Sequence, residues 1–469
     1  MGSKSTKTSS THARVNIDVG VSEDKTLPLF ILKCNSVLEM SDCEIKSLNH
    51  QLDQTTGSKP TDVAFLLKYP RTIQFQEEGP NLSLILENCN INNFSTGIES
   101  LLLSKITVEN SYFADCHYYA INISNPYYLK IYKSTIQNPQ KSGINIRFSK
   151  QIDRNLHRRI IIEGCNISDS KAYGISIFGE NMIHHKCKIN VHGNRILRSK
   201  KDGLGIKNLS MQEIRIANNA IWECQGNCIF LQNVIDCEES SLLEMKNNKL
   251  ENSSLYGIAA LDASLLSEND EITRNQKGGI IISGGETIND RNEYEFFKTR
   301  PLRCIFNNSI IKNNKDSGVI LVGCLKGPVV LNSCEICENL NGFYARLKPI
   351  PMLENNVNEQ GRGRVSHNPL AAQANSIGHL VLDKCNIFRN RESGMVLRSL
   401  SEKLFLKETI IQQNKVYGIE VASSEDKHNL VLEKSQVKQF IDGFIGGEWG
   451  LLYDEHEGIC KTNAKCQIF

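Results

Sequence analysis

Residues 165–177 read CNISDSKAYGISI, and this phrase decides the fold. It begins with a small or polar residue, has an aliphatic residue two positions later, and reaches a glycine followed by an aliphatic residue nine positions after the start. Close variants of the phrase occur thirteen times along the chain. Their start positions are Cys89, Ser111, Ser134, Cys165, Asn194, Asn219, Asn248, Asp270, Ser309, Cys334, Cys385, Thr409 and Ser435.

The second position and the glycine step repeat with the same regularity. The second position is apolar in every repeat, from Ile91 in the first to Val437 in the last. Ala120 and Cys228 replace the glycine in two repeats. Such constancy predicts a solenoid, in which each repeat buries its apolar face against its neighbours. The glycines are Gly97, Gly143, Gly174, Gly203, Gly257, Gly279, Gly318, Gly342, Gly394, Gly418 and Gly443.

Within each repeat the local pattern predicts strands. Short apolar runs such as Ile160-Ile161-Ile162 precede the starts, and alternation such as Ile175-Ser176-Ile177 follows the glycine. The apolar spacing that helical repeats require is missing. The basal repeat of 22 to 26 residues has room for three short strands and their turns. We therefore predict an all-β fold, a single-stranded right-handed parallel β-helix of about 13–15 coils.

Stacked coils assign a role to each repeated position. The aliphatic residues should fill the bore, and the start residues should stack at a corner and satisfy backbone groups there. The glycines should supply a tight or left-handed backbone for the next corner. We predict one solenoid domain over residues 30–444, a flexible segment and N-terminal cap over 1–29, and a C-terminal cap and tail over 445–469.

Composition narrows the class of protein. The net charge of +2 argues against a general nucleic-acid binder. The N-terminus lacks a secretory signal and the chain lacks an apolar run long enough for a membrane span, so we expect a cytoplasmic protein. Several of the 16 cysteines occupy start positions, which predicts reduced core thiols. No cofactor is predicted.

Both ends carry lipidation patterns. The chain begins Met-Gly-Ser-Lys-Ser-Thr, which fits N-myristoylation of Gly2, and ends Cys-Gln-Ile-Phe, which fits prenylation of Cys466. Two lipids, helped by Lys4 and Lys7, would hold the protein on the cytosolic face of an anionic membrane. An unmodified tail and a start left by cloning are the alternative.

The repeats resemble the right-handed β-helix superfamily with the pectin-lyase-like fold, over about Phe30 to Phe444. The cadence Asn-x-Ile-x-x-Asn-x-x-x-Gly-Ile, approximated from Asn308 to Gly318, looks most like the eukaryotic intracellular branch of F-box and spindle-associated Shc-binding β-helix proteins. The resemblance is strong evidence for the fold but weak evidence for a function, because the fold occurs in both enzymes and adaptors. No F-box precedes the repeats.

Enzymes of that superfamily would need acidic groups that this chain mostly lacks. The Asp-Asp pair of polygalacturonase-like hydrolysis is missing. Glu87, Glu109 and Glu163 each lie two places before a start and should share one outward column, with Tyr132 between them. We interpret them as solvated strand residues and predict neither a catalytic residue nor a metal site.

Two surfaces are candidates for binding. The position four before the start is apolar in five successive repeats and should form an outward column, which either the chain or a partner protein covers. Basic residues interrupt the long third repeat, which begins at Ser134, and could meet acidic lipid or peptide. The apolar column is Ile305, Val330, Val381, Phe405 and Val431, and the basic loop is Arg147, Lys150, Arg154, Arg158 and Arg159.

The sequence favours a non-catalytic scaffold that binds partner proteins and is tethered to a membrane by its lipids. A carbohydrate-active enzyme or glycan-binding module is the alternative, for which carbohydrate would be the partner. A ubiquitin-ligase substrate receptor without a recognisable F-box is a further alternative. Nucleic acid is not expected as a partner.

Overall fold

The computed structural model describes residues 16–19, 30–32, 37–47, 63–67, 83–101, 104–149, 157–180, 184–236, 243–284, 302–347, 380–400, 403–421, 429–437, 451–453 and 460–462. These residues form strands and turns, with no helix among them. No helix in the described part of the chain is therefore long and apolar enough to cross a membrane.

The strands that follow the start positions form a 15-stranded parallel sheet, which we call the start sheet. Most of its strands have three residues, and the middle one is the aliphatic residue of the repeat. The strands are β1 (Asn16–Val19), β4 (Glu44–Ser47), β7 (Asn90–Asn92), β10 (Tyr112–Ala114), β13 (Thr135–Gln137), β16 (Asn166–Ser168), β19 (Arg195–Leu197), β21 (Ala220–Trp222), β24 (Lys249–Glu251), β27 (Glu271–Thr273), β30 (Ile310–Lys312), β33 (Glu335–Cys337), β36 (Asn386–Phe388), β39 (Ile410–Gln412) and β42 (Gln436–Val437).

A second sheet of 27 strands contains two parallel ladders. The post-glycine ladder holds the strands that follow the glycine step. They are β2 (Phe30–Leu32), β5 (Val63–Leu67), β8 (Thr96–Ser100), β11 (Ile121–Ser124), β14 (Ile144–Phe148), β17 (Ile175–Gly179), β20 (Leu204–Ala217), β22 (Ile229–Asp236), β25 (Tyr256–Ala263), β28 (Gly278–Gly284), β31 (Val319–Gly323), β34 (Phe343–Leu347), β37 (Met395–Leu397) and β40 (Ile419–Val421).

The pre-start ladder holds the strands that lead into each start position. The long strand β20 belongs to both ladders and joins them into one sheet. The other strands are β3 (Val37–Ser41), β6 (Ser83–Glu87), β9 (Lys105–Glu109), β12 (Tyr128–Tyr132), β15 (Arg158–Glu163), β18 (His184–His192), β23 (Leu243–Lys246), β26 (Leu265–Glu268), β29 (Cys304–Asn307), β32 (Val329–Asn332), β35 (Leu380–Asp383), β38 (Leu404–Lys407) and β41 (Leu430–Glu433).

These three ladders confirm the predicted right-handed parallel β-helix. Ile167 pairs in register with Ile196, and Ile196 pairs with Ile221. All three side chains are buried in one continuous core. The aliphatic column therefore fills the bore, as the repeat predicts.

The two ends of the chain contain further strands. β1 pairs in parallel with β4 and so adds a strand to the start sheet from within the segment predicted as N-terminal cap. Near the C-terminus, β43 (Leu451–Tyr453) and β44 (Cys460–Thr462) pair antiparallel. The predicted boundaries at residues 30 and 444 remain predictions.

The glycine step serves close packing, which corrects the expected left-handed backbone. Gly143 lies outside the positive-φ region, and a Cβ there would be 2.8 Å from Cγ2 of Ile167 and 2.8 Å from the carbonyl oxygen of Gly174. The left-handed residues instead precede the start positions, for example Asn218 and Asn247, both with φ of 54°. Asparagine tolerates that region better than most residues.

Side chains at the start positions satisfy buried backbone groups, as predicted. The backbone nitrogen and Nδ2 of Asn194 both donate to Oδ1 of Asn219, at 3.0 Å each. Asn219 repeats this with Asn248, and Asn248 with Asp270. A second corner carries a similar ladder from Asn275 through Asn314, Asn339 and Asn390 to Asn414. The thiols at the other start positions, and that of Cys43 directly before β4, are free and buried; the start cysteines are Cys89, Cys165, Cys334 and Cys385.

Candidate functional site

The predicted apolar column exists as a register column on the pre-start ladder. Ile305 pairs with Val330, Val330 with Val381, Val381 with Phe405, and Phe405 with Val431. All five side chains are partly buried. The geometry agrees with the sequence analysis, and the use of this column as a binding surface remains a prediction.

The basic loop does not form one cluster among the described residues. Arg147 in β14 and Arg159 in β15 are exposed. Arg158 is only 3% exposed and therefore lies inside the fold rather than on its surface. Lys150 and Arg154 lie outside the described residues, as do the predicted lipid acceptors Gly2 and Cys466.

The glutamate column also lies where the sequence analysis placed it. Glu87 pairs in register with Glu109, and Tyr132 pairs with both Glu109 and Glu163. Lys130 forms a 2.5 Å ion pair with Glu109, which raises the pKa of the lysine. Among the described residues no group of three or more acidic, histidine or cysteine side chains could hold a metal ion.

A different cluster lies on the outer face of the post-glycine ladder, and it was not predicted from the sequence. We call it the aromatic-lysine cluster and define it by residues of three successive coils, β17, β20 and β22. Its members are Tyr173, Phe178, Lys201, Asp202, Lys207 and Phe230.

The local sequence Asp202-Gly-Leu-Gly-Ile-Lys207 explains how one coil presents this chemistry. Leu204 and Ile206 point into the bore and are fully buried, so the alternate residues Gly205 and Lys207 face outward. Gly205 leaves room for a ring, because a Cβ there would lie 3.0 Å from Cδ1 of Tyr173. Tyr173 packs edge to face against Phe178, with ring centroids 5.3 Å apart.

Lys207 lies among three aromatic rings. Its Nζ is 4.6 Å from the ring centroid of Phe230, 5.5 Å from that of Phe178 and 5.9 Å from that of Tyr173. Partial burial lowers the pKa of Lys207, while the charge of Asp202 opposes that shift. The rings favour the charged ammonium through their negative faces.

Asp202 is the acidic member of the cluster and is only 8% exposed. Its Oδ1 accepts hydrogen bonds from the backbone nitrogen of Asn227 at 2.7 Å and from Nδ2 at 2.8 Å. Burial raises the pKa of the Asp202 carboxyl, although these hydrogen bonds and the nearby lysines oppose the shift. The raised pKa of Asp202 and the lowered pKa of Lys207, together with the aromatic rings around the lysine, make this cluster the candidate site.

A polar ladder lies on the same outer face, on the N-terminal side of the cluster. Nδ2 of Asn122 donates to Glu99 at 3.2 Å, and Nδ2 of Asn145 donates to Asn122 at 2.7 Å. The hydroxyl of Ser176 donates to Oδ1 of Asn145 at 2.7 Å. The outer face of the post-glycine ladder thus carries a polar column that ends at Ser176, next to the aromatic-lysine cluster.

The sequence contained a signal for this cluster. Once the glycine steps are aligned, the second and fourth residues after each glycine must face outward. In three successive coils these positions hold Ser176 and Phe178, then Gly205 and Lys207, then Phe230 and Gln232. Outward positions were considered only on the pre-start strands, so these aromatic residues had no predicted role.

Comparison with known families agrees with the described geometry. The family model for the right handed beta helix region matches residues 72–209, 119–294 and 297–445. The chain belongs to this family. No curated protein matches it by sequence. The expected membership of the eukaryotic intracellular branch is therefore still a prediction, whereas the pectin-lyase-like fold is confirmed.

Several solved structures share the fold of this family member at low sequence identity. The periplasmic alginate epimerase AlgG is 12% identical with a TM-score of 0.42, over 85% of this chain and 77% of that one. The Azotobacter vinelandii mannuronan C-5 epimerase AlgE4 A-module is 10% identical with a TM-score of 0.34, over 86% and 89%. A GH87 α-1,3-glucanase catalytic domain is 10% identical with a TM-score of 0.34, over 87% and 64%.

These structures correct the main functional expectation. The proteins that share the fold are named as carbohydrate-active enzymes, so the preference for a non-catalytic scaffold that binds partner proteins is wrong. At such identities the likeness itself concerns the fold alone. The function of this chain has to be argued from its own residues.

Proposed function

We propose that this protein is carbohydrate-active and binds an acidic saccharide on the aromatic-lysine cluster. Sugar rings present apolar C–H faces, which pack on aromatic side chains such as Tyr173, Phe178 and Phe230. Lys201 and Lys207 supply charge-assisted hydrogen bonds to an acidic group of the saccharide. The rigid parallel ladder holds these groups in fixed positions, which favours a binding site.

One observation carries the proposal: Asp202 and Lys207 lie together beside aromatic rings, with their pKa values moved in opposite directions. A raised pKa makes the Asp202 carboxylate a stronger proton acceptor than an exposed aspartate. Both hydrogen bonds from Asn227 end on Oδ1 of Asp202. Oδ2 is therefore the oxygen to which we assign proton transfer.

Proton transfer next to a sugar carboxylate is the reaction class that fits one acid and one lysine. Oδ2 of Asp202 would take the proton from the carbon that bears the carboxylate, and the electron pair would move into the carboxylate. Lys207 would neutralise the charge that develops there. Two-carboxylate hydrolysis fits less well, because that chemistry needs a second acid within about 10 Å, and the cluster contains only Asp202.

A glycan-binding module without turnover is the second candidate. The 8% exposure of Asp202 favours it, because a reacting carbon must approach the carboxyl closely. Both candidates require the saccharide to bind at the cluster. They differ only in whether a proton leaves the sugar.

Binding and proton exchange can be measured in one experiment. We expect acidic oligosaccharides to bind the intact protein in calorimetry, and NMR in D₂O to show deuterium entering the ring carbon beside the carboxylate. Binding without deuterium uptake or new unsaturated ends would favour the module. Failure of every acidic and neutral glycan to bind would refute both candidates. Asp202→Asn should lower exchange about a thousandfold and Lys207→Ala should weaken binding, whereas Arg195→Ala on the start sheet should change neither.

Lipid attachment is a separate proposal that rests on the terminal motifs alone. Myristoylated Gly2 and prenylated Cys466 would hold the protein on the cytosolic face of a membrane. Intact mass of the protein from eukaryotic cells tests this, with Gly2→Ala and Cys466→Ser as controls. Unmodified mass at both ends would exclude the tether.

A further inference from the structure

Two pairs of cysteines lie on neighbouring coils at one corner of the β-helix, the corner directly before the start-sheet strands, which we call the start corner. The register between β33 and β36 places Cys334 next to Cys385 there. The register between β4 and β7 places Cys43 next to Cys89 in the same way. Both pairs are buried, and in the structure all four thiols are free. The proposed saccharide site uses none of them.

The two pairs coincide with the two longest connections between successive start corners. The chain advances by 46 residues from Cys43 to Cys89 and by 51 residues from Cys334 to Cys385. The other steps between described residues of this corner take 22 to 39 residues. A cross-link at either pair would therefore close a longer loop than a cross-link at another step. The gain in stability from a disulfide grows with the length of the loop that it closes.

Cys165 occupies the same corner without a thiol neighbour. It stacks between Ser134 and Asn194. Its Sγ donates to the carbonyl oxygen of Glu163 at 3.4 Å, and Oγ of Ser134 donates to that of Tyr132 at 3.0 Å. Serine therefore satisfies the same kind of backbone group as cysteine at this corner. Cys165 is a natural control for the paired thiols, and serine is their conservative replacement.

The paired thiols are directed at each other across the boundary between coils. Sγ of Cys385 donates to the carbonyl oxygen of Leu331 at 3.3 Å, and Sγ of Cys89 donates to that of Met40 at 3.5 Å. Both carbonyl groups belong to the coil that contains the partner cysteine. Parallel strands about 4.8 Å apart hold Cα atoms within the range of about 4.4–6.8 Å that a disulfide spans. The Cβ atoms must come within about 4.5 Å, so the corner has to close by a few tenths of an ångström.

A hydrogen bond between the thiols of Cys334 and Cys385 gives the two residues different roles. It lowers the pKa of the Cys334 thiol and raises the pKa of the Cys385 thiol. The thiolate is the nucleophile in thiol–disulfide exchange, so Cys334 is the residue that attacks an oxidant first. Each side chain is only 1% exposed, so the attack takes place while the coils close during folding or when they open locally.

We propose that both pairs are disulfide-forming sites, oxidised by a low-molecular-weight disulfide such as glutathione disulfide, and that each bond fastens the coils across a long connection. Cys334 attacks one sulfur of glutathione disulfide, forms a mixed disulfide and releases one glutathione. Cys385 gives up its proton and attacks the Cys334 sulfur of the mixed disulfide, which releases the second glutathione. The pair loses two hydrogen atoms, and glutathione disulfide is reduced to two glutathione molecules.

The test refolds the full-length protein from denaturant, once in a buffer of glutathione and glutathione disulfide and once in dithiothreitol. Free thiols are alkylated before digestion, and mass spectrometry identifies the linked peptides. We expect Cys43 linked to Cys89 and Cys334 linked to Cys385, with Cys165 alkylated. The oxidised protein should melt about 5 °C above the reduced protein. Recovery of the four paired cysteines in alkylated form, or links to Cys165 as frequent as those within the pairs, would overturn the proposal.

Serine variants test whether the bond itself fastens the coils. Cys385→Ser should lose the link to Cys334 and about half of the gain in melting temperature, because one of the two bonds is removed. Cys165→Ser is the matched control and should keep both links and the whole gain. Samples of each variant in dithiothreitol report the effect of the substitution without any bond. An equal gain in Cys385→Ser and in the parent would refute the role of the bond.

Discussion

Two buried aspartates lie in contrasting regions of this molecule. Asp270 occupies a start position at an inner corner, is 1% exposed, and accepts hydrogen bonds from Asn248 and Ser267. Asp202 lies in the turn before β20, where its charge acts on Lys207 and Tyr173. Burial raises the pKa of both carboxyls. The raised pKa of Asp270 belongs to a structural hydrogen-bond ladder, whereas the raised pKa of Asp202 lies within a candidate binding site.

The residues around a buried carboxyl, rather than its pKa shift alone, distinguish a structural acid from a functional one. Asp270 continues a column of asparagines, so its carboxyl replaces an amide within a stack. Asp202 has cationic neighbours that could meet a ligand. Substitution to asparagine should therefore remove function at Asp202 and improve stability at Asp270.

The largest expected effect concerns Asp202. Asp202→Asn removes the proton acceptor and leaves an amide oxygen for the hydrogen bonds of Asn227, so the fold should persist. Proton exchange into the saccharide should fall about a thousandfold, which corresponds to about 4 kcal/mol of transition-state stabilisation. Deuterium uptake by NMR measures the exchange, and thermal unfolding measures the stability of the variant. A large loss of stability without a selective loss of exchange would make Asp202 a structural acid like Asp270.

Asp270→Asn should stabilise the protein above about pH 6. Burial raises the pKa of Asp270 from 3.8 to about 6. Between these values the unfolded chain ionises while the folded carboxyl stays protonated, so the free energy of unfolding falls as pH rises. The full loss above the folded pKa is about 3 kcal/mol.

Asparagine at position 270 removes that dependence and continues the ladder. In Asn194, Asn219 and Asn248 the Nδ2 group also donates to a backbone carbonyl at 2.9 Å. Denaturant titrations at pH 4 and pH 8 should show a small difference from the parent at pH 4 and a gain of about 3 kcal/mol at pH 8. Equal differences at both pH values would contradict the titration of Asp270. Asp169→Asn, on an exposed ion pair with Arg198, is the control.

Gly203 and Gly205 are close in sequence but pack on opposite sides of the ladder. Gly203 packs against the interior, and Gly205 packs against the outer aromatic rings. A Cβ at Gly203 would lie 2.8 Å from the carbonyl oxygen of Cys228 and 3.2 Å from Sγ of Cys224. Gly203→Ala should therefore cost about 2 kcal/mol through overpacking of the interior. A Cβ at Gly205 would meet the movable ring of Tyr173 at 3.0 Å and Cε1 of Phe178 at 3.6 Å, so Gly205→Ala should cost less than half of that. Denaturant midpoints measure both variants, and equal costs would contradict the distinction.

The interior of this fold was predictable because it repeats. Ile167, Ile196 and Ile221 follow from periodicity, since each coil imposes the same packing on the next. The role of Gly143 was misjudged, because a missing side chain can serve either backbone conformation or space, and only neighbouring coils distinguish the two.

The outer face was harder to predict because no repeated constraint acts on it. The apolar column from Ile305 to Val431 was placed correctly by counting positions before each start. Lys207 and Phe230 are 23 positions apart and meet only through the register of β20 and β22. Asp202 lies in a turn, where alternation gives no guide to its burial.

Tyr173→Leu should produce the smallest effect, and it tests whether the outer rings matter to the lysines as well as to the saccharide. Leucine keeps apolar contact with Gly205 and Phe178 but removes the negative ring face near Lys201 and Lys207. Tyr173 makes two cation–π contacts, with Lys201 at 5.5 Å and Lys207 at 5.9 Å, and the loss of one such contact at an exposed site is worth about 0.5–1 kcal/mol. Saccharide affinity should therefore fall by a few fold, with an unfolding midpoint close to that of the parent. Tyr112→Leu, on the start sheet, is the matched control. A loss of affinity in both variants would place the binding surface elsewhere on the β-helix.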